Sequence, residues 1–126
     1  MIVLDTHAWP FWRGDLARLG PAARAAIESA DEIGVSAISA WAVSTLVRRR
    51  CIEPDSDPEQ WVRRALAGAR TVELPVTAAV VPPPDRWTRT SPVIPRIGYA
   101  TAVAASAPLA TRDRAIAAYD PRRAVW

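Results

Sequence analysis

The feature that most restricts this chain is an alternation of short apolar runs, each closed by hydroxyl or acidic residues, with longer segments of helical spacing. Ile2-Val3-Leu4 is the first such run and stops at Asp5-Thr6. It reads as a buried strand with an aspartate at its carboxyl end, where Asp and Thr favour a helix start over continued strand. A helix is expected through His7, Trp9 and Phe11, with Pro10 near the first turn, where backbone N–H groups lack intrahelical acceptors anyway.

The pattern then repeats. Pro21 opens a helix to Ala30, Glu32 to Ser36 reads as a strand, and Ser39 caps a helix whose Ala40, Val43, Leu46 and Val47 recur at helical spacing. That helix ends in Arg48-Arg49-Arg50, charges that suit the negative end of a helix dipole and have RNA phosphate contact only as a secondary use. Asp57-Pro58-Glu59-Gln60 starts another helix to about Gly68, and Thr71 to Leu74 is a strand. Pro82 to Pro95 holds five of the twelve prolines and reads as an irregular loop. Helix resumes at Arg96, followed by a strand at Pro108 to Thr111, a helix from Asp113 and a strand at Ala124 to Trp126. The expected fold class is α/β: a central, mostly parallel, twisted sheet of four to five short strands with helices on both faces. Ligands of such sheets collect beyond the strands' carboxyl ends, where Asp5 and Asp113 both fall.

Composition bounds the rest. With 126 residues, half of them hydrophobic, the chain is expected to form one domain over 1–126. No apolar run approaches the roughly 20 residues of a bilayer span, and Met1 to Asp5 offers no basic leader region, so a soluble cytoplasmic protein with no membrane partner is expected. Cys51 is the single cysteine, which excludes an internal disulfide and a cysteine zinc cluster; it reads as a packing residue. All sixteen basic residues are Arg and Ala is abundant, the signature of a GC-rich bacterial genome. A net charge of +3 favours a polyanion without the dense basic stripe of a dedicated nucleic-acid binder.

Ile-Val-Leu-Asp-Thr-His-Ala-Trp at positions 2 to 9 resembles the opening of VapC-type PIN domains. Gly34-Val35-Ser36-Ala37-Ile38-Ser39 with Trp41, then Ala100-Thr101-Ala102, Pro108-Leu109 and Thr111-Arg112-Asp113-Arg114, resemble the same family in order and spacing, so the likeness spans nearly the whole chain. The resemblance implies a PIN-like fold and a Mg²⁺- or Mn²⁺-dependent endoribonuclease toxin with four acidic side chains, a homodimer kept inert by a VapB-type antitoxin. Hydrolysing a phosphodiester calls for a hard cation to offset phosphate charge and acidify water, and carboxylates hold such a cation.

By that resemblance the first acid is Asp5 and the fourth is Asp113, both expected to be catalytic metal ligands, with Thr6 and Thr111 as hydroxyls supporting them and Arg96 and Arg112 as RNA phosphate contacts. The second acid follows the tryptophan in a Trp-Glu-Val pattern, but here Trp41-Ala42-Val43 stands instead. The third closes an Asp-Pro-Ala-Asp-Arg motif, and counting back from Ala100 places Pro95 at its position. Pro92 to Gly98 can be encoded CCG GTG ATC CCG CGG ATC GGC, which shifted by two bases reads Gly-Asp-Pro-Ala-Asp-Arg. The expected cause is a pair of compensating indels that passed a short frameshift through the motif and restored frame near Tyr99. The gene's nucleotides test it: codons that forbid the shifted reading end this account.

Weak binding remains open to two carboxylates, since Mg²⁺ often takes only one or two with waters and phosphate. Turnover is expected to be weak or absent, because a displacement of about 1 Å can cost roughly a hundredfold. Asp85 is expected to be a solvated turn residue, not a substitute ligand. Taken singly, Asp5 and Asp113 are also good helix caps; in register with the other matches, Asp5 reads as a ligand and Asp113 as ligand and cap alike. His7 reads as a helix residue and not as a base, since no second His or Lys completes a pair. Trp9, Trp12, Trp41 and Trp61 read as core or interface residues rather than base-stacking platforms, an exposed one favouring a protein partner. The alternative function is a non-catalytic antitoxin-binding module.

Overall fold

Ile2–Leu4 forms β1, and its three buried side chains divide between two cores. Ile2 and Leu4 join Trp9, Ile27, Val35 and Val43 on one face, while Val3 joins Tyr99, Leu109 and Ile116 on the other. This period-two division of an all-apolar strand is what a sheet covered on both faces requires. The computed structural model describes residues 1–48, 57–80 and 92–126. Arg49, Arg50, Cys51, Asp85 and the rest of the segments 49–56 and 81–91 lie outside the described residues, as do the side chains of Val47 and Arg48.

The other strands are β2 (Ile33–Ser36), β3 (Thr71–Leu74), β4 (Leu109–Ala110) and β5 (Ala124–Val125). They form a five-stranded sheet in the order β3-β2-β1-β4-β5, every pair parallel, so the fold is the expected α/β, PIN-like one. Helices α1 (Ala8–Gly14), α2 (Pro21–Ser29), α3 (Ala37–Arg48) and α4 (Pro58–Leu66) supply the first core, with Trp9 edge-on to Trp61 at 5.1 Å between ring centroids. Helix α5 (Val93–Ala104) and helix α6 (Arg114–Tyr119) supply the second. Among the described residues no helix is long and apolar enough to cross a membrane.

The chain steps outward from β1 to β2 to β3, then returns to lay β4 on the other side of β1. The strand order therefore reverses between β1 and β4, and parallel sheets open a crevice beyond the strands' carboxyl ends at such a point. Leu4 pairs with Ala110 in register, so the residues that leave these two strands, Asp5 and Thr111, emerge side by side.

Two expected boundaries move. Helix α3 begins at Ala37 directly from β2, so Ser39 lies buried in its first turn and is not its cap. Helix α5 begins at Val93 with Pro92 as its cap residue, so the proline-rich stretch is helical by Pro95 and not irregular to that point. Pro95 is tolerated because the third helical residue has no intrahelical acceptor to lose.

Candidate active site

Asp5 leaves β1 with its backbone still in the sheet, its N–H donating to the Ala110 carbonyl at 3.0 Å. Its side chain is only 8% exposed, and both carboxylate oxygens are engaged: Oδ1 accepts from the Thr6 N–H at 2.7 Å and Oδ2 from the Thr111 hydroxyl at 2.6 Å. It does not cap α1, whose cap residue is His7 and has no side-chain cap bond. Burial pushes the Asp5 carboxyl above its ordinary value of 3.8; the bonds from Thr111 and Thr6 and the nearby His7 oppose that push, and Asp113 adds to it. An acid buried this way at a crevice, beside a like charge, is costly to the fold, and perturbed groups of that kind gather at functional sites.

Asp113 is reached through Thr111. The Thr111 hydroxyl that donates to Asp5 accepts from the Asp113 N–H at 3.1 Å, so one side chain sets both acids. The Asp113 Oδ1 accepts from the N–H groups of Ala115 and Ile116 at 2.8 and 3.2 Å and caps α6. Its other oxygen makes no hydrogen bond among the described residues and remains able to meet a ligand. Cap and ligand are compatible roles for the two oxygens of one carboxylate.

Asp5 and Asp113 line one cleft of about 600 Å³, and Ala42 from α3 and Pro95 from α5 line it with them. Thr6, His7, Arg112 and Trp41 border the same space. Arg96, by contrast, is half-buried in α5 and does not line the cleft, while Arg112 is exposed there, its guanidinium 5.3 Å above the Phe11 ring. His7 is exposed at the cleft. Trp41 is the exposed one of the four tryptophans, at 58%, whereas Trp9 is buried and Trp12 and Trp61 pack against the first core.

Thr6 was expected as a supporting hydroxyl, but its bond to Ser39 and the pair formed by Ser36 and Thr101 were not. The Thr6 hydroxyl donates to Ser39 Oγ at 3.2 Å, and Thr101 donates to the Ile97 carbonyl at 2.8 Å. Since a hydroxyl has one proton, Ser36 must be the donor in its 3.0 Å contact with Thr101. These bonds tie the ends of β1 and β2 to α3 and α5. The signal was a serine at a strand's carboxyl end, Ser36, paired across the chain with a threonine inside an alanine-rich helix.

Among the described residues no group of three or more His, Cys, Asp or Glu side chains is placed to hold a metal ion. Among the described residues the carboxylates at the cleft are Asp5 and Asp113, each with unused lone pairs. That set fits a hard divalent cation whose shell is completed by water and phosphate. Ala42 and Pro95, which carry no metal-ligating group, line the same cleft.

No protein-family model matches the chain. The chain is similar to "Ribonuclease VapC22" of Mycobacterium tuberculosis, with 32% identity over 128 residues that cover 98% of this chain and 95% of the relative.

Proposed function

This chain belongs to the VapC family of PIN-domain proteins, and from that premise we propose that it is the toxin half of a toxin-antitoxin pair, a divalent-metal endoribonuclease reduced to weak or no turnover. The whole of 1–126 acts as one cytoplasmic domain, homodimeric and paired with a VapB-type antitoxin. The observation that carries this reading is the meeting of Asp5, Asp113, Ala42 and Pro95 on one cleft at the reversal of strand order.

Asp5 and Asp113 would hold the Mg²⁺ or Mn²⁺ ion, which when bound offsets phosphate charge and acidifies a water. Thr111 fixes the orientation of Asp5, the α6 N-terminus fixes one oxygen of Asp113, and Thr6 extends the support to Ser39. Arg112 is the phosphate contact that the cleft favours, and Arg96 is set aside from it. Without acids at 42 and 95, Asp5 and Asp113 alone would fix an ion and an attacking water loosely, and catalysis depends on such alignment more steeply than binding does.

The register of the lost motif has a physical rationale. With Pro92 at the helix cap and Val93 first in α5, an Asp-Pro pair at 92 and 93 would fill the two slots that Asp and Pro prefer. Carrying Pro92→Asp, Val93→Pro, Ile94→Ala and Pro95→Asp together with Ala42→Glu, the rebuilt protein should therefore keep α5. Purified native and rebuilt proteins, assayed on RNA with Mg²⁺ or Mn²⁺, should differ by about a hundredfold or more in cleavage. Equal cleavage by the native protein would remove the claim of lost activity. An inert rebuilt protein that still binds the antitoxin encoded beside it would favour the binding-module alternative.

A further inference from the structure

Trp41 is the most exposed large hydrophobic side chain among the described residues, at 58%, and it stands on the rim of the acid-floored cleft. Helix α3 presents Trp41, Ala42, Thr45 and Leu46 to that space, residues spaced i, i+1, i+4 and i+5 on one side of the helix. The opposite side carries Val43 into the first core, so the tryptophan has no packing duty there. Among the described residues no aromatic ring or cation stacks on it. Both Ser44 and Thr45 bond back to the Trp41 carbonyl, at 2.7 and 3.4 Å, and hold its backbone position. An indole kept in water forgoes the burial that its size would otherwise give the fold, and such residues mark binding surfaces.

The geometry points to Trp41 as a stacking platform for an unpaired base of single-stranded RNA, the base next to the phosphate that faces Asp5 and Asp113. This rests on the ribonuclease reading given above. The cleft's volume of about 600 Å³ is that of a small-ligand site and takes a nucleotide unit; Trp41 also borders a second cleft of about 540 Å³ against α4, so the ring stands between the two. Arg112 lines the same space and offers a cation for phosphate, so ring, cation and acids lie in one cleft in the roles of base, backbone and reaction centre. Stacking would make Trp41 tolerant of base identity, since every base has a π-face.

The test is binding of a fluorescein-labelled single-stranded RNA, checked intact by gel afterwards, to native protein and to Trp41→Ala, Trp41→Leu and Trp41→Phe, across a salt series. Loss of a stacked base weakens binding about 5- to 150-fold, so the Ala and Leu variants should fall by that range and the Phe variant should recover most of it. Their salt slopes should match the native one, because no phosphate contact is removed, whereas Arg112→Ala should flatten the slope. A native protein that does not bind RNA removes the ribonuclease reading itself. Native binding matched by Trp41→Ala, or a Leu variant as good as Phe, overturns the stacking role alone. So does a Trp41→Ala variant that keeps RNA and loses the antitoxin, which would make the ring a protein contact. Thermal melts of each variant exclude misfolding, to which an exposed position is insensitive.

Discussion

The two sides of the cleft have been treated differently. On the β1–β4 side, Asp5 and Asp113 are bound into the fold by Thr111 and by the N-terminus of α6. On the α3–α5 side the same space is closed by Ala42 and Pro95, with Val93 and Ile94 beside them. Acids on the first side have structural work whatever chemistry they do; acids on the second would project from helix surfaces with an ion as their one use. If acids once stood at 42 and 95, as proposed above, their loss would leave the fold standing, because no hydrogen bond of the β1–β4 side depends on them.

The largest effect that could sharpen this contrast lies in metal linkage. Adding carboxylates at 42 and 95 beside Asp5 and Asp113 crowds like charges, so the rebuilt protein should melt below the native one in EDTA. Millimolar Mg²⁺ or Mn²⁺ should raise its melting temperature again, by several degrees if the ion is at about 100 times its dissociation constant, a gain of roughly 2.7 kcal/mol. Native protein should shift little. Equal shifts in both proteins would mean that the apolar side never mattered to metal binding.

On the structural side, Thr111→Val removes the donor to Asp5 Oδ2 and the acceptor of the Asp113 N–H while keeping the side chain's shape. A buried group left unsatisfied costs about 1–3 kcal/mol, so this variant should unfold at distinctly lower urea, while Ala42→Ser should stay within about 0.5 kcal/mol of native. Similar losses in the two would erase the distinction drawn between the two sides. Asp113→Ala should cost about 1 kcal/mol through the lost cap, and Asp113→Asn only a fraction of that; chemical denaturation of the pair separates cap from charge.

Much of this contrast was legible in the residues. Ile2-Val3-Leu4 announced a buried strand, because no polar residue interrupts it, and Asp5 followed it directly; Thr111, expected as the last residue of its strand, leaves β4 just after Ala110. Placement on a helix was harder to read. Ser39 has the chemistry of a cap, yet β2 runs into α3 without a linker, and the hydroxyl accepts from Thr6 instead. Trp41 lies one residue, about 100° of helix rotation, from both Ala40 and Ala42, and apolar spacing alone does not say where the stripe that finds a partner ends. Arg96 follows Pro95 in sequence but turns away from the cleft once α5 has begun at Val93.

The smallest effect concerns the charge that the fold tolerates at Asp5. Burial holds this carboxyl above 3.8, so the ionised form is disfavoured in the folded state relative to the unfolded chain. Below the unfolded value the group is protonated in both states and its contribution to stability is fully present; as pH rises through the raised folded value that contribution is lost. Asn does not titrate, and its amide can still accept from Thr6 and donate to Thr111. Asp5→Asn should therefore match the native protein's stability near pH 4 to within the cost of re-forming those bonds, then gain on it as pH rises, with the advantage levelling off once native Asp5 is ionised. Melting curves taken from pH 4 to 8 measure the difference. A constant difference, or one that narrows as pH rises, would mean that Asp5 rests comfortably as a carboxylate, and that its side of the cleft is a structural feature with no charge held in readiness for an ion.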